Sequence, residues 1–145
     1  MRPVFTLAGI AVVALTVATS AMSSSPQASS SVTARGSSFG RILFDGRGFA
    51  LYAFTKDRPR HSACANACGN KWPPYIVRRR PNARRGVDPS LLGTILRRDG
   101  RRQATYAGKP LYYYVDGKPL QVLCQNVREF GGLWLVVRPN GTLVR

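Results

Sequence analysis

From residue 39 to the C-terminus, short apolar runs alternate with glycine, proline and aspartate, the punctuation of strands and turns rather than the 3.6-residue rhythm of helices. RILFD (41–45) and FALYAF (49–54) flank Gly46-Arg47-Gly48 and predict a hairpin. TILRR (94–98) and RRQATY (101–106) flank Asp99-Gly100 and predict a second, closed by a two-residue turn with positive φ at both central positions. PLYYYV (110–115) and LWLVV (133–137) predict further strands, and TLVR (142–145), after the turn Pro139-Asn140-Gly141, predicts one that closes the sheet. Helix is scarce: Asp88-Pro89-Ser90-Leu91-Leu92 predicts a single helical turn, with Asp88 as N-cap and Pro89 in the first position. The expected fold class is mainly β, a small antiparallel sheet domain with one or two short helical turns.

The apolar pattern also repeats. GFALYAFTKD (48–57) and GKPLYYYVD (108–116) align through Leu51-Tyr52 and Leu111-Tyr112, each followed by an aromatic (Phe54, Tyr114) and an acid (Asp57, Asp116). Cys64, Cys68 and Trp72 follow in the first half, Cys124 and Trp134 in the second, so a duplicated unit is expected, with repeats at about 39–77 and 94–145. Strand alternation puts Tyr52 with Phe54, and Tyr112 with Tyr114, on one face. Core packing of these rings against Trp72 and Trp134 is the first reading. An exposed aromatic platform for sugar or quinone rings is the second.

The N-terminus has a different pattern. Arg2 precedes an uncharged apolar run from Val4 to Ala18 and then the small residues Thr19, Ser20 and Ala21, the order of a signal peptide over 1–21. The run is shorter than the roughly 20 residues needed to cross a bilayer, so no transmembrane span is expected after cleavage. No cysteine stands at the cleavage point to accept lipid. Residues 22–38, MSSSPQASSSVTARGSS, lack large apolar side chains and predict a flexible tether ahead of one domain at 39–145.

Charge changes the functional picture. The 145-residue chain has 22 Lys+Arg against 6 Asp+Glu, a formal +16, and the leader removes only Arg2. Such a field attracts polyanions, and outside the cytoplasm those are anionic envelope polymers or lipid head groups before nucleic acid. The densest cations are Arg78, Arg79, Arg80, Arg84 and Arg85. Together with Arg97, Arg98, Arg101 and Arg102 on the second hairpin they form a possible anion-binding face, guanidinium forks being suited to phosphate and carboxylate. A solvated loop is the alternative. No nucleic-acid motif accompanies the run.

The motif Tyr52-Ala53-Phe54-Thr55-Lys56-Asp57, then Ser62-Ala63-Cys64, Cys68 and Trp72-Pro73-Pro74, resembles the secreted-repeat family of unknown function, the predicted bacterial lipoproteins with a Yx(F/W/Y)xxD motif. RRDGRRQATYAGKPLYYY (97–114) and GGLWLVV (131–137) are similar to that family's Arg-x-Asp-Gly, Gln-x-x-Tyr-x-Gly-Lys-Pro-Leu-Tyr and Gly-Gly-x-Trp elements. The resemblance covers roughly 39–142 and implies an extracytoplasmic β-rich repeat fold, while offering no activity. Two departures stand out: the lipobox cysteine often present in the family is missing, and Cys124 occupies a position where its members commonly carry glycine.

Candidate chemistry is sparse. Cys64 and Cys68, four apart, come within disulfide reach on a helical turn, and an oxidising compartment favours a structural bond. Cys124 is then odd, and the protein is a monomer unless Cys124 cross-links. His61 with Cys64 and Cys68 makes at most three ligands, so neither a metal nor a cofactor is expected. Asp45, Asp99 and Asp116 read as turn residues, whereas Asp57 is placed to cap the loop from Ser62 to Cys68. No nucleophile, base and orienting partner line up, so no enzyme is expected. The leading reading is an exported, non-enzymatic binding or structural module of the envelope, soluble rather than lipid-anchored. The alternative is a redox or electron-transfer accessory using the Cys64/Cys68 pair.

Overall fold

Short β-prone runs separated by turn residues produce most of the expected strands in the computed structural model, which describes residues 30–145. The run predicted at 110–115 is a strand only where Lys109–Pro110 enters it, with isolated bridges at Tyr112, and 142–145 pairs only through a bridge at Leu143. The predicted signal peptide at 1–21 and the start of the tether lie outside the described residues. In chain order come β1 (Ser31–Ser37), β2 (Gly40–Asp45), β3 (Tyr52–Phe54), α1 (Ala67–Lys71), β4 (Asn82–Ala83), a 3-10 turn (Pro89–Leu91), β5 (Leu92–Leu96), β6 (Arg102–Tyr106), β7 (Lys109–Pro110), β8 (Val127–Glu129) and β9 (Gly132–Val136). Three sheets result, ordered β2-β1-β4, β3-β9-β8 and β5-β6-β7. Every strand pair is antiparallel except β1 with β4.

The predicted tether does not extend to Ser38. Instead, the chain enters β1 at Ser31, and the first four residues of that strand are buried. Val32 and Ala34 fill the core, and β2 satisfies the backbone in a register from Val32↔Asp45 to Ser37↔Gly40. Small and polar side chains hide this strand in the sequence because its stability comes from the partner strand.

Both hairpins form, with differences. At the first, Phe44 bridges Ala50 and Leu51 N–H donates to Leu43 O at 3.0 Å. The chain then leaves for another sheet, where β3 pairs with β9. At the second, the loop has three residues rather than two: Arg97 N–H donates to Arg101 O at 2.8 Å and Gly100 N–H to Arg97 O at 3.0 Å. Of the pair, only Gly100 has positive φ, at 80°, while the Asp99 carboxylate accepts from Arg101 N–H at 3.0 Å and so prefers the bulged turn. The 3-10 turn is capped as expected, Asp88 Oδ1 accepting from Ser90 N–H at 2.8 Å. At the C-terminus Val144 N–H donates to Val136 O at 3.1 Å and so pairs the chain end with the end of β9.

The two repeats do not fold as two separate sheet units. They exchange strands about a pseudo-two-fold axis through Tyr52 and Tyr112, the equivalent residues of the two motifs. Tyr52 N–H donates to Tyr112 O and Tyr112 N–H to Tyr52 O, both at 2.9 Å. Around this bridge the hydrogen bonds are reciprocal. Leu51 and Leu111 donate to Leu43 and Ala104 of their own repeats at 3.0 Å; Leu43 N–H donates to Val137 O and Ala104 N–H to Tyr75 O, across repeats, at 2.9 Å. Tyr75 and Val137 each lie three residues after a tryptophan. Neither repeat can therefore complete its sheet alone.

The rings follow the same symmetry. Trp72 and Trp134 stack at 4.2 Å between centroids with planes 2° apart; Phe54 stacks on Trp134 at 4.2 Å, and Tyr114 packs on Trp72 at 5.2 Å. Both tryptophans are fully buried, and Tyr52, Phe54 and Tyr112 are nearly so. The motif aromatics are the core; Tyr114 alone among them is partly exposed. Gly132 makes the column possible, because a Cβ there would approach Phe54 Cε2 to 2.6 Å.

Candidate functional site

On one side of the pseudo-axis the motif residues build a chain of polar side chains. Asp57, just past β3, accepts from Ala63 N–H through Oδ1 at 2.7 Å and from the Tyr112 hydroxyl through Oδ2 at 2.7 Å. The first bond caps the loop that runs to Cys68, the role its position suggested. Ser62 Oγ lies 2.7 Å from Tyr112 Oη; with the phenol proton committed to Asp57, Ser62 is the donor. Arg97 Nη1 donates to Ser62 Oγ at 2.9 Å and to Gln103 Oε1 at 2.6 Å, and its Nη2 donates to Cys64 O at 2.7 Å. Gln103 is fully buried and donates onward to Leu111 O at 2.8 Å. Donors therefore run Arg97 to Ser62 to Tyr112 to Asp57, from a cation to a carboxylate. Such a directed chain is stronger than its isolated pairs.

The electrostatics follow from burial. Desolvation pushes the Asp57 carboxyl up to about 6, against the pull of its bonds to Ala63 and Tyr112 and of the Arg97 charge. Burial and the Asp57 charge lift the Tyr112 phenol well above its ordinary range. Tyr112 stays protonated, so it meets the Ser62 hydroxyl as a hydrogen-bond acceptor rather than as a base. What the arrangement does chemically is hold the 57–64 loop and the second hairpin together.

Arg97 departs from its expected role. Its side chain is only 7% exposed and its Nη donors are spent inside the protein, so it belongs to this network rather than to an anion-binding surface. Arg78, Arg79, Arg80, Arg84, Arg85, Arg98, Arg101 and Arg102 are exposed, but they do not share one depression. Arg85 lines a shallow one of about 580 Å³ with Arg35 and Arg41 against the first sheet. Arg98 and Arg101 line another, with Arg60. Arg78 falls opposite Arg101 in register, since Val77 N–H donates to Arg102 O at 2.9 Å. Arg35, Arg41 and Arg60 escaped notice because they are isolated in sequence and gather only in the fold.

The second depression is a groove of about 610 Å³ directly over the polar chain, between the Arg60–Pro74 segment and the tip of the second hairpin. Arg60, Arg98 and Arg101 supply its outer cations, Asp99 its carboxylate, and Ser62 and Arg97 reach it from below. Asn66 and Asn70 of the α1 segment lie along it, with Pro73, Pro74 and the 69%-exposed Leu96 as apolar surface.

Cys64 and Cys68 form a disulfide with sulfurs 1.97 Å apart and Cα atoms 5.2 Å apart. Both residues are buried against the aromatic column. Cys124 is free and half-buried, packed by the same cluster; its backbone N–H points to Tyr52 Oη at 3.4 Å. Among the described residues no group of three or more His, Cys, Asp or Glu side chains gathers to hold a metal ion. Ser62 and Gln103, the two network members to which sequence reasoning assigned no role, stand in the quoted motifs at the Ser-x-Cys and Gln-x-x-Tyr positions.

A family described as a secreted repeat of unknown function matches the chain in two stretches, residues 34–75 and 93–138. The chain belongs to this secreted-repeat family. Its first match begins inside β1, as expected if that strand is part of the folded repeat. The second begins one residue into β5 and ends just after β9. Secretion accords with a chain that holds a disulfide. No curated protein and no solved structure matches the chain. Within the secreted-repeat motifs the residues now have distinct jobs: the tyrosines, Phe54 and tryptophans are core, and Asp57, Ser62, Arg97 and Gln103 tie the two repeats together.

Proposed function

We propose that this secreted-repeat protein is an exported, non-enzymatic module that binds anionic polymers of the cell envelope, or anionic lipid head groups, as a soluble monomer without a lipid anchor. The observation that supports it is the way the acids are used. Asp45, Asp57, Asp88, Asp99 and Glu129 each accept hydrogen bonds inside the fold, from Tyr113, Tyr112, Ser90, Arg101 and Trp72 respectively. Among the described residues only Arg47, Arg97 and Arg101 pair with a carboxylate. Most of the arginines are left to face solvent without a counter-charge, and a polyanion supplies one.

The test is binding of the mature protein to immobilised polyphosphate and polygalacturonate between about 0.05 and 0.5 M salt, where screening lengths shrink below the spacing of surface charges. Affinity that falls steeply with salt is the expected result. Binding that ignores salt, or none at low salt, overturns the proposal. The redox alternative is less favoured, because Cys64 is 1% and Cys68 6% exposed, so little of either residue meets an incoming thiol.

A further inference from the structure

We infer that the groove between the Arg60–Pro74 segment and the second hairpin is a binding site for an acidic glycan, a chain of sugar rings bearing carboxylates. The inference rests on the anionic-polymer reading and narrows it to one site and one ligand chemistry. Charge alone would accept any polyanion. The groove, however, mixes three kinds of surface that a bare chain of phosphates does not use together.

The first is cationic. Arg60 and Arg98 carry no ion pair among the described residues, whereas Arg101 is already paired with Asp99, its Nη2 2.8 Å from Oδ2, and adds only its remaining donors. Guanidinium groups in this setting grip carboxylates through paired N–H donors.

The second is amide. Asn66 and Asn70 are four residues apart, Asn70 N–H donating to Asn66 O at 3.0 Å, so both belong to one face of the α1 turn. Both are exposed, and no side-chain hydrogen bond among the described residues occupies either amide. A carboxamide offers donor and acceptor side by side, the complement of sugar hydroxyls, which also do both.

The third is apolar. Pro73 and Pro74 line the wall, and Leu96 remains 69% exposed on it. Sugar rings have C–H faces that such surface covers, whereas phosphates and small anions have none. Rigidity completes the case: the disulfide, the Asp57 cap and the buried Arg97 fix both walls, so a ligand meets a preformed groove and pays little ordering entropy.

The experiment uses the mature protein with polygalacturonate oligomers, polyphosphate of equal charge, and uncharged dextran. In about 0.15 M salt, polygalacturonate is expected to bind at least about tenfold more tightly than polyphosphate, and dextran not measurably. Asn66→Gly with Asn70→Ala, glycine being chosen because Asn66 has φ of 53°, is expected to lower polygalacturonate affinity about fivefold and leave polyphosphate unchanged. An unfolding midpoint in urea equal to that of the parent protein certifies the fold of the variant. Arg98→Gln is expected to weaken both. Equal affinity for the two polyanions, or indifference to the asparagine pair, sinks the glycan site while salt-dependent binding keeps the broader proposal. Loss of all polyanion binding at low salt sinks both.

Discussion

The two repeats present the same backbone around one axis and put it to different uses. Tyr52 and Tyr112 bridge each other as equals, and each sends its hydroxyl into the other repeat. Tyr112 finds Asp57 and Ser62, with Arg97 and Gln103 behind them. Tyr52 finds the backbone of Cys124, in a cluster where Ile42, Val136 and Val144 are buried. The register explains part of the difference: with Leu43 and Ala104 equivalent, Ile42 stands where the second repeat has Gln103. The acids diverge too, Asp57 being half-buried and bonded and Asp116 exposed. The tryptophans show it again. Trp72 Nε1 donates to Glu129 at 2.8 Å, while Trp134 Nε1 is buried without a partner among the described residues. Glu129 lies five residues before Trp134; five before Trp72 stands Ala67, which has no acceptor to return. The same backbone thus surrounds both tyrosines, but only the surroundings of the Tyr112 hydroxyl, drawn from both repeats, are polar and lie under the groove.

Removing the hub of the polar side should cost most. Arg97→Ala leaves Ser62, Gln103 and Cys64 O without their donor and is expected to lower stability by about 3 kcal/mol in urea unfolding. A loss under about 1 kcal/mol would mean that water replaces the guanidinium and that the two sides are energetically alike.

The pH dependence is specific to the same side. Asp57 titrates at about 6 in the fold against an ordinary 3.8, so between those values the native state holds a proton that the unfolded chain has lost. Stability therefore falls as pH rises from about 4 to about 6, by on the order of 2–3 kcal/mol, and is level above. Asp88 and Asp99 are held below their ordinary range by hydrogen bonds and act in the opposite sense, under about pH 4. Asp57→Asn keeps an acceptor for Ala63 and should flatten the fall; a slope that survives assigns it to another group.

The disulfide comes next. Its short loop predicts a loss of about 2 kcal/mol for the Cys64→Ser, Cys68→Ser double variant, against less than about 1 for Cys124→Ser. Comparable losses would make the half-buried thiol as structural as the bridge.

The smallest contrast is the tyrosine pair. Tyr112→Phe strips a donor from Asp57 and an acceptor from Ser62 and is expected to cost about 1–2 kcal/mol, whereas Tyr52→Phe gives up one long contact and should cost under about 0.5. Equal costs, measured by the same unfolding, would erase the polar and apolar distinction.

Much of this was legible in the chain. Apolar runs and turn residues located most of the strands, the Tyr-x-aromatic motifs and paired tryptophans marked the duplication, and the position of Asp57 pointed to its loop. These features are readable because period, turn chemistry and repetition act over a few residues. The tertiary structure alone decided the rest. It drew Ser31–Ser37 into a strand, since a strand poor in apolar side chains is made by its neighbour. It interleaved the repeats, buried Arg97, and collected Arg60, Arg98, Asn66 and Asn70 around one groove. Partners in those contacts lie tens of residues apart, and sequence spacing specifies a side chain's local direction but not which distant segment will meet it.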